Sequence, residues 1–332
     1  MVFFVLSGYF VGGSVVGRGS RFQWGDYAEA RLTRLWVVLI PALALTLGMD
    51  LITRHFAPEA LYGAWQQTWN SGPGGTKELW SVGPVTALGN VFFLHTIAVP
   101  VFGSNSPLWS LAYEFWYYVL FPLLMCALGW AGGFSKFRRT GQFVVLAVLL
   151  LLLPPSLLTG GLIWLLGVAM FLCPRLQGKK AVMLGVAGLL GFVAALLAAK
   201  ANILRGFTGE LAVGLAFAFL AAVLRGIPFP FGPRVEQASK FLSEISYSLY
   251  VVHFPIMMCG AVIIYRGRQF QPDSLGCGIF VIWLIGVFLV GAGFWWVFEK
   301  RTQKIRRWIS KLRKGREIGM AAVEASAEPG KI

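Results

Sequence analysis

Two ionisable side chains stand inside stretches that are otherwise apolar. Glu114 lies in Pro107-Leu108-Trp109-Ser110-Leu111-Ala112-Tyr113-Glu114-Phe115-Trp116-Tyr117-Tyr118, and His253 in Ser246-Tyr247-Ser248-Leu249-Tyr250-Val251-Val252-His253-Phe254-Pro255. A carboxylate and an imidazole are groups that general acid and base chemistry uses. Both are costly to place in hydrocarbon, so each is a functional candidate by default. The structural alternatives are an ion pair between Glu114 and an arginine that joins two helices, and a hydrogen bond from His253 to a neighbouring helix. Arg31 and Arg34 are spaced i, i+3, which on a helix puts two guanidinium groups on one face. Such a pair suits phosphate, which guanidinium binds bidentately while staying charged, and ordinary anchoring of a cytoplasmic boundary would place arginine there as well. The hydroxyls of Ser243 to Tyr250 can join helices, meet headgroups or line a polar path. Glu299, just before Lys300 and Arg301, reads as a local ion pair.

The elements that must carry these residues follow from composition. The 332 residues are 57% hydrophobic and 13% charged, with a mean hydropathy of +0.70, against roughly 25% charged in a soluble domain. Apolar runs recur almost end to end, which excludes a separate water-soluble domain and predicts an all-α, polytopic transmembrane helix bundle. Nine spans are expected near 2–17, 34–52, 107–130, 142–153, 158–173, 181–199, 207–225, 241–265 and 276–299, the fourth and fifth forming a tight hairpin at Pro154-Pro155-Ser156. Of the 29 Lys and Arg, only Arg54, Lys77, Lys200, Arg205, Arg266 and Arg268 fall on one side; the rest fall on the other, which is therefore cytoplasmic. The net charge of +15 is thus topological, and nucleic acid drops out as a partner. The chain is expected in the cell (inner or plasma) membrane, multi-pass, with its C-terminus cytoplasmic. From the 1.5 Å rise per residue, Glu114 lies roughly 10 Å from the outer end of its span and His253 roughly 18 Å from the inner end of its own. Both depths fall in the outer half of a core roughly 30 Å thick, where the two could share one cavity.

Residues 1–299 are expected to form the membrane domain, 300–316 a basic amphipathic helix on the cytoplasmic leaflet with Ile305, Trp308, Ile309 and Leu312 at helical spacing, and 317–332 a disordered tail. Between spans two and three, turn-rich Ser71-Gly72-Pro73-Gly74-Gly75 precedes Val91-Phe92-Phe93-Leu94-His95, which is expected to dip into the membrane or pack against it and so cover an external opening. Cys126, Cys173, Cys259 and Cys277 lack metal-site or disulfide spacing and read as packing residues; no metal is expected. Nine spans with an inside C-terminus put the N-terminus outside, although Met1 opens directly into Val2-Phe3-Phe4 with no charged leader. One further helix upstream would restore an even number.

Four segments together resemble the acyltransferase 3 family of integral membrane O-acyltransferases. They are Phe3-Phe4-Val5-Leu6-Ser7-Gly8-Tyr9; Tyr27 to Pro41 with Arg31-x-x-Arg34; Leu108-Trp109-Ser110-Leu111-Ala112-Tyr113-Glu114-Phe115-Trp116-Tyr117 running on to Phe121-Pro122; and Ile245-Ser246-Tyr247-Ser248-Leu249-Tyr250 with His253-Phe254-Pro255. Phe298-Glu299 is similar to the family's ending. The resemblance implies a bundle of about ten helices that moves an acyl group, usually acetyl from acetyl-CoA, to a hydroxyl of a glycan or lipid-linked sugar. On it, Arg31 and Arg34 would hold the phosphates of acetyl-CoA or another acyl-CoA, and Glu114 and His253 are the groups available for acid and base work. The family's first helix, carrying an Arg and the His usually assigned to catalysis, has no counterpart here, in line with the helix that the odd span number calls for.

The leading expectation is therefore acyl transfer from acyl-CoA to a surface glycan or lipid-linked sugar, with membrane lipids around the bundle. A transporter or flippase for a lipid-linked sugar would use Glu114 and His253 for proton coupling, but the paired half-folds common in such proteins are not visible. A truncated, inactive remnant would bind acyl-CoA without transfer.

Overall fold

The computed structural model describes residues 1–62, 80–228, 232–265, 271 and 273–313. Lys77, Arg266, Arg268, the Ser71 to Gly75 turn and the expected disordered tail lie outside them. The described chain is helical, with one isolated bridge, His95 to Val99, and no strand. Every backbone polar group that meets hydrocarbon needs an internal partner, and the helix supplies one locally.

Eight helices among the described residues are long and apolar enough to cross a membrane, so the chain is a multi-pass membrane protein. The helices are α1 (Val2–Arg21), α2 (Trp24–Phe56), the short α3 (Pro84–Val91), α4 (Trp109–Ala127), α5 (Lys136–Leu152), α6 (Pro155–Leu172), α7 (Gly178–Lys200), α8 (Gly206–Leu224), α9 (Pro233–Gly260) and α10 (Ser274–Val297). The expected span at 142–153 is part of α5, whose 17 residues extend about 25 Å, at the lower limit of a crossing. The hairpin at Pro154 is present: α6 starts with Pro155 at its first position, where the missing N–H costs nothing. At the start of α10, Asp273 caps the helix, accepting from the Gly276 N–H at 2.7 Å.

The chain divides into two compact units. The first comprises Met1–Gln23 and Trp109–Val235 and holds α1 and α4 to α8. In it α1 lies on α6 backbone to backbone. A Cβ on Gly8 would stand 1.9 Å from the Trp164 carbonyl oxygen, and one on Gly167 would stand 1.9 Å from that of Val5. Only glycine at the crossing lets the axes come so near, the usual device where lipid offers no hydrophobic drive between helices. Midway, α1 widens into a π-helical stretch over Gly8–Gly12.

The second unit comprises Trp24–Leu108 and Glu236–Ile332 and holds α2, α3, α9, α10 and a terminal helical stretch, 302–313. At 33 residues α2 is about 50 Å long, well beyond the hydrocarbon thickness. It therefore begins ten residues before the expected span, and Arg31 and Arg34 sit two or more turns inside the helix rather than at its start. In front of them, Glu29 pairs with Arg306 at 3.8 Å and Arg313 at 3.4 Å, so the first turns of α2 meet the terminal stretch. On that stretch Trp308 and Leu312 are exposed.

Candidate functional site

Glu114 lies in the second turn of the first unit's α4 and is only 5% exposed. Its Oε1 accepts from the Ser7 hydroxyl at 2.7 Å and from the Tyr118 hydroxyl one turn further along its own helix. The Trp164 indole N–H in turn donates to Ser7 Oγ at 3.0 Å. Three helices, α1, α4 and α6, thus converge on one carboxyl group, and the two glycines at the α1–α6 crossing bring Ser7 and Trp164 together. Around it the aromatic segment of α4 locks the helix in place: Tyr117 donates to the Leu157 carbonyl at 2.8 Å and its ring stands edge-on to Phe4, while Phe121 packs on Trp164. A carboxyl group so held keeps one position. That is the preorganisation a buried acid or base needs.

The second unit contains His253, Arg31 and Arg34. Glu114 is in the first unit. His253 on α9 places Nδ1 2.7 Å from the Tyr250 carbonyl oxygen. A carbonyl can only accept, so Nδ1 carries the hydrogen and the neutral ring keeps its lone pair on Nε2. His253 lines a groove of about 700 Å³ between α9 and α10, whose walls include Leu249, Leu284, Ile285 and Phe288.

The backbone that aims His253 is fastened at several points. Tyr250 donates its hydroxyl to the Pro107 carbonyl, and Asn105 donates to the Val251 carbonyl at 2.8 Å and to Thr46 Oγ1 at 3.0 Å. Residues 92–108 therefore bridge α2 and α9 just ahead of α4. Within this segment Phe93 and His95 are wholly buried, and the His95 Nε2–H donates to the Leu108 carbonyl at 2.7 Å. Burial pushes the His95 imidazole down to about 4. Within Val91 to His95, Phe93 and His95 thus point into the interior while Phe92 stays exposed.

Arg31 stacks over Tyr27, with its guanidinium carbon 5.5 Å from the ring centroid, and Arg34 is exposed. The expected pairing of Glu299 with Lys300 and Arg301 is not what the structure shows. Its carboxylate accepts from the Ser248 N–H at 3.2 Å and the Ser248 hydroxyl at 2.6 Å, and Arg34 acts on it electrostatically. Neighbours one and two residues along a helical turn point elsewhere, and Lys300 instead lies over Trp295. Of the hydroxyls from Ser243 to Tyr250, Tyr247 donates to the Leu35 carbonyl at 3.2 Å; it, Ser248 and Tyr250 serve as ties between elements.

The sequence reading missed Asp50. It is buried in α2 and accepts from Trp80 Nε1–H at 2.9 Å, from the Ser104 N–H at 2.8 Å and from the Ser104 hydroxyl. Gly103, at φ +58°, brings the chain so close that a Cβ would stand 2.1 Å from Asp50 Oδ2. The signal was available: Asp50 is an ionisable residue within a predicted span, as Glu114 is, but it stands near the span's end, where a charge looks ordinary.

The model of the acyltransferase 3 family, described as an acyltransferase domain, matches residues 1–300. The chain belongs to the acyltransferase 3 family. It is accordingly a membrane acyltransferase of the O-acyltransferase type. No curated protein and no solved structure matches it.

Proposed function

We propose that this family member transfers an acetyl group from acetyl-CoA to a hydroxyl of a surface glycan or lipid-linked sugar, in the cell membrane with its C-terminus cytoplasmic. The observation that carries the reading is His253, whose Nδ1–H is committed to the Tyr250 carbonyl and whose remaining nitrogen, Nε2, is the basic one, in a ring that borders a groove. In the reaction the acceptor hydroxyl gives its proton to Nε2 as its oxygen attacks the thioester carbonyl carbon. The new C–O ester bond forms as the C–S bond breaks, and the departing CoA thiolate takes up a proton. Arg31 and Arg34 supply fixed positive charge for the phosphates of the acyl-CoA. Glu114 supports the same chemistry as a buried carboxyl group held by hydroxyl donors.

The test is transfer of radiolabelled acetyl from acetyl-CoA to glycan in membranes that contain the chain, compared with His253→Gln at equal amounts of folded protein. Loss of label in the variant is the expected result. Undiminished transfer by His253→Gln would remove His253 from the chemistry, and no label in the glycan with the unaltered chain would remove acetyl-CoA as the donor.

A further inference from the structure

A second basic site lies in the first unit, away from Arg31 and Arg34. The connection from α6 to α7 and the residues that follow α8 meet there, so closely that a Cβ on Gly226 would stand 1.8 Å from the Leu176 carbonyl oxygen. Between them is a cleft of about 430 Å³ lined by Arg175, Gln177, Gly178, Arg225 and Gly226 among others, with no carboxylate among the described residues of its wall. Retention of positive charge on cytoplasmic loops explains why such residues are basic. It does not explain why two arginines from separate connections converge on one cleft.

Three features of the cleft point to an anion. Arg225 is fixed in place: its Nη2–H donates to the Cys173 carbonyl at 3.1 Å, and its guanidinium lies over the Tyr9 ring, 5.2 Å from the centroid. Yet its Nε is shut off from solvent with no acceptor among the described residues, which costs free energy unless something supplies one. The N-terminus of α7, a helix of 23 residues, opens onto the same cleft at Gly178, with no side chain capping it and no acid in its first turn. That turn instead carries Lys179 and Lys180, cations at the positive end of a helix dipole, an arrangement that disfavours itself until an anion binds.

We propose that the Arg175–Arg225 cleft at the start of α7 binds a phosphate group. Guanidinium N–H groups and helix N-terminal amides are the donors phosphate takes, and the volume accommodates a phosphate mono- or diester with its waters. The phosphate belongs either to a soluble compound or to the headgroup of an anionic phospholipid.

Both sources are tested on the purified full-length chain, in an Arg31→Ala/Arg34→Ala background so that the remaining binding reports this cleft. The soluble arm is calorimetric titration with pyrophosphate in neutral detergent. The lipid arm is native mass spectrometry of lipid retained from phosphatidylcholine vesicles containing a minority of phosphatidylglycerol. Arg175 is exposed, so Arg175→Ala leaves packing intact; Arg225→Lys keeps the charge but removes the planar fork, and Lys136→Ala is the control with equal loss of charge. Expected is about a tenfold loss of one ligand in Arg175→Ala and a smaller loss in Arg225→Lys, with Lys136→Ala unchanged. A response in the pyrophosphate arm assigns a soluble phosphate, and a response in the lipid arm alone assigns a headgroup. If Arg175→Ala matches Lys136→Ala in both arms, the cleft is general basic surface and the proposal fails. The outcome does not depend on acyl transfer.

Discussion

Replacing Gly167 by alanine should cost far more than a methyl group added to an open helical position. The new Cβ would lie 1.9 Å from the Val5 carbonyl oxygen and 2.6 Å from the Tyr9 nitrogen, both backbone atoms that no rotamer change can move aside. Restoring ordinary contact requires α1 and α6 to separate by roughly 1.5 Å at the crossing, a forced repacking that costs about 1–3 kcal/mol. The same displacement breaks the 3.0 Å bond from Trp164 to Ser7 and loosens the 2.7 Å bond from Ser7 to Glu114. Those two bonds add about 1–3 kcal/mol, so the total is about 2–6 kcal/mol. The reference is Gly191→Ala on α7, where nothing stands within 4 Å of the added atom and where alanine should stabilise the helix by about 0.5–1 kcal/mol. Thermal unfolding of both variants in the same detergent, followed by tryptophan fluorescence, gives the comparison. Equal midpoints for Gly167→Ala and Gly191→Ala would falsify the close crossing, and with it the account of how Ser7 reaches Glu114.

Other perturbations read single features. Glu114→Gln should abolish acyl transfer while the protein stays folded and monodisperse; full transfer would make Glu114 a structural tie only. Alanine at both Arg31 and Arg34 should weaken acyl-CoA binding about tenfold or more, as expected for loss of hydrogen bonds to charged groups, with little change in acceptor affinity; unchanged calorimetric binding would return them to anchoring. His95, at about 4 in the fold against 6.5 when unfolded, binds its proton more readily in the unfolded chain. Stability should therefore be full above pH 6.5 and fall by about 3 kcal/mol as pH drops towards 4. His95→Gln should flatten that slope, and an unaltered slope would place the titrating group elsewhere. Tyr250→Phe removes the tie to Pro107 but keeps the carbonyl that holds His253, so it should lower turnover without shifting the pH profile.

The transmembrane architecture was legible because hydrocarbon demands long apolar helices, and that demand is written locally in every span. The limits of helices were less so: α2 runs ten residues ahead of its apolar core because polar residues such as Asp26 and Glu29 are good helix material once they project into water and find Arg306 and Arg313. Glu114 was legible as an exception to the bilayer rule, whereas its partner Ser7 was not, since Ser7 lies 107 residues away in sequence, and Trp164, which donates to Ser7, lies 157 residues from it; the two meet only through the α1–α6 crossing.

The same distinction explains Glu299 and Asp50. A charge at the end of a span has a cheap local explanation, and sequence alone gives no reason to look further. In the fold both carboxylates accept from a serine through its N–H and its hydroxyl, Ser248 for Glu299 and Ser104 for Asp50. Each joins segments about fifty residues apart in the chain. Ser248 sits two residues before Tyr250, whose carbonyl holds His253, and Ser104 stands beside Asn105, which holds the Val251 carbonyl. Two end-of-span acids therefore brace the same stretch of α9 from opposite sides in sequence. A residue that looks like a boundary marker can thus set the aim of a side chain deep in the span.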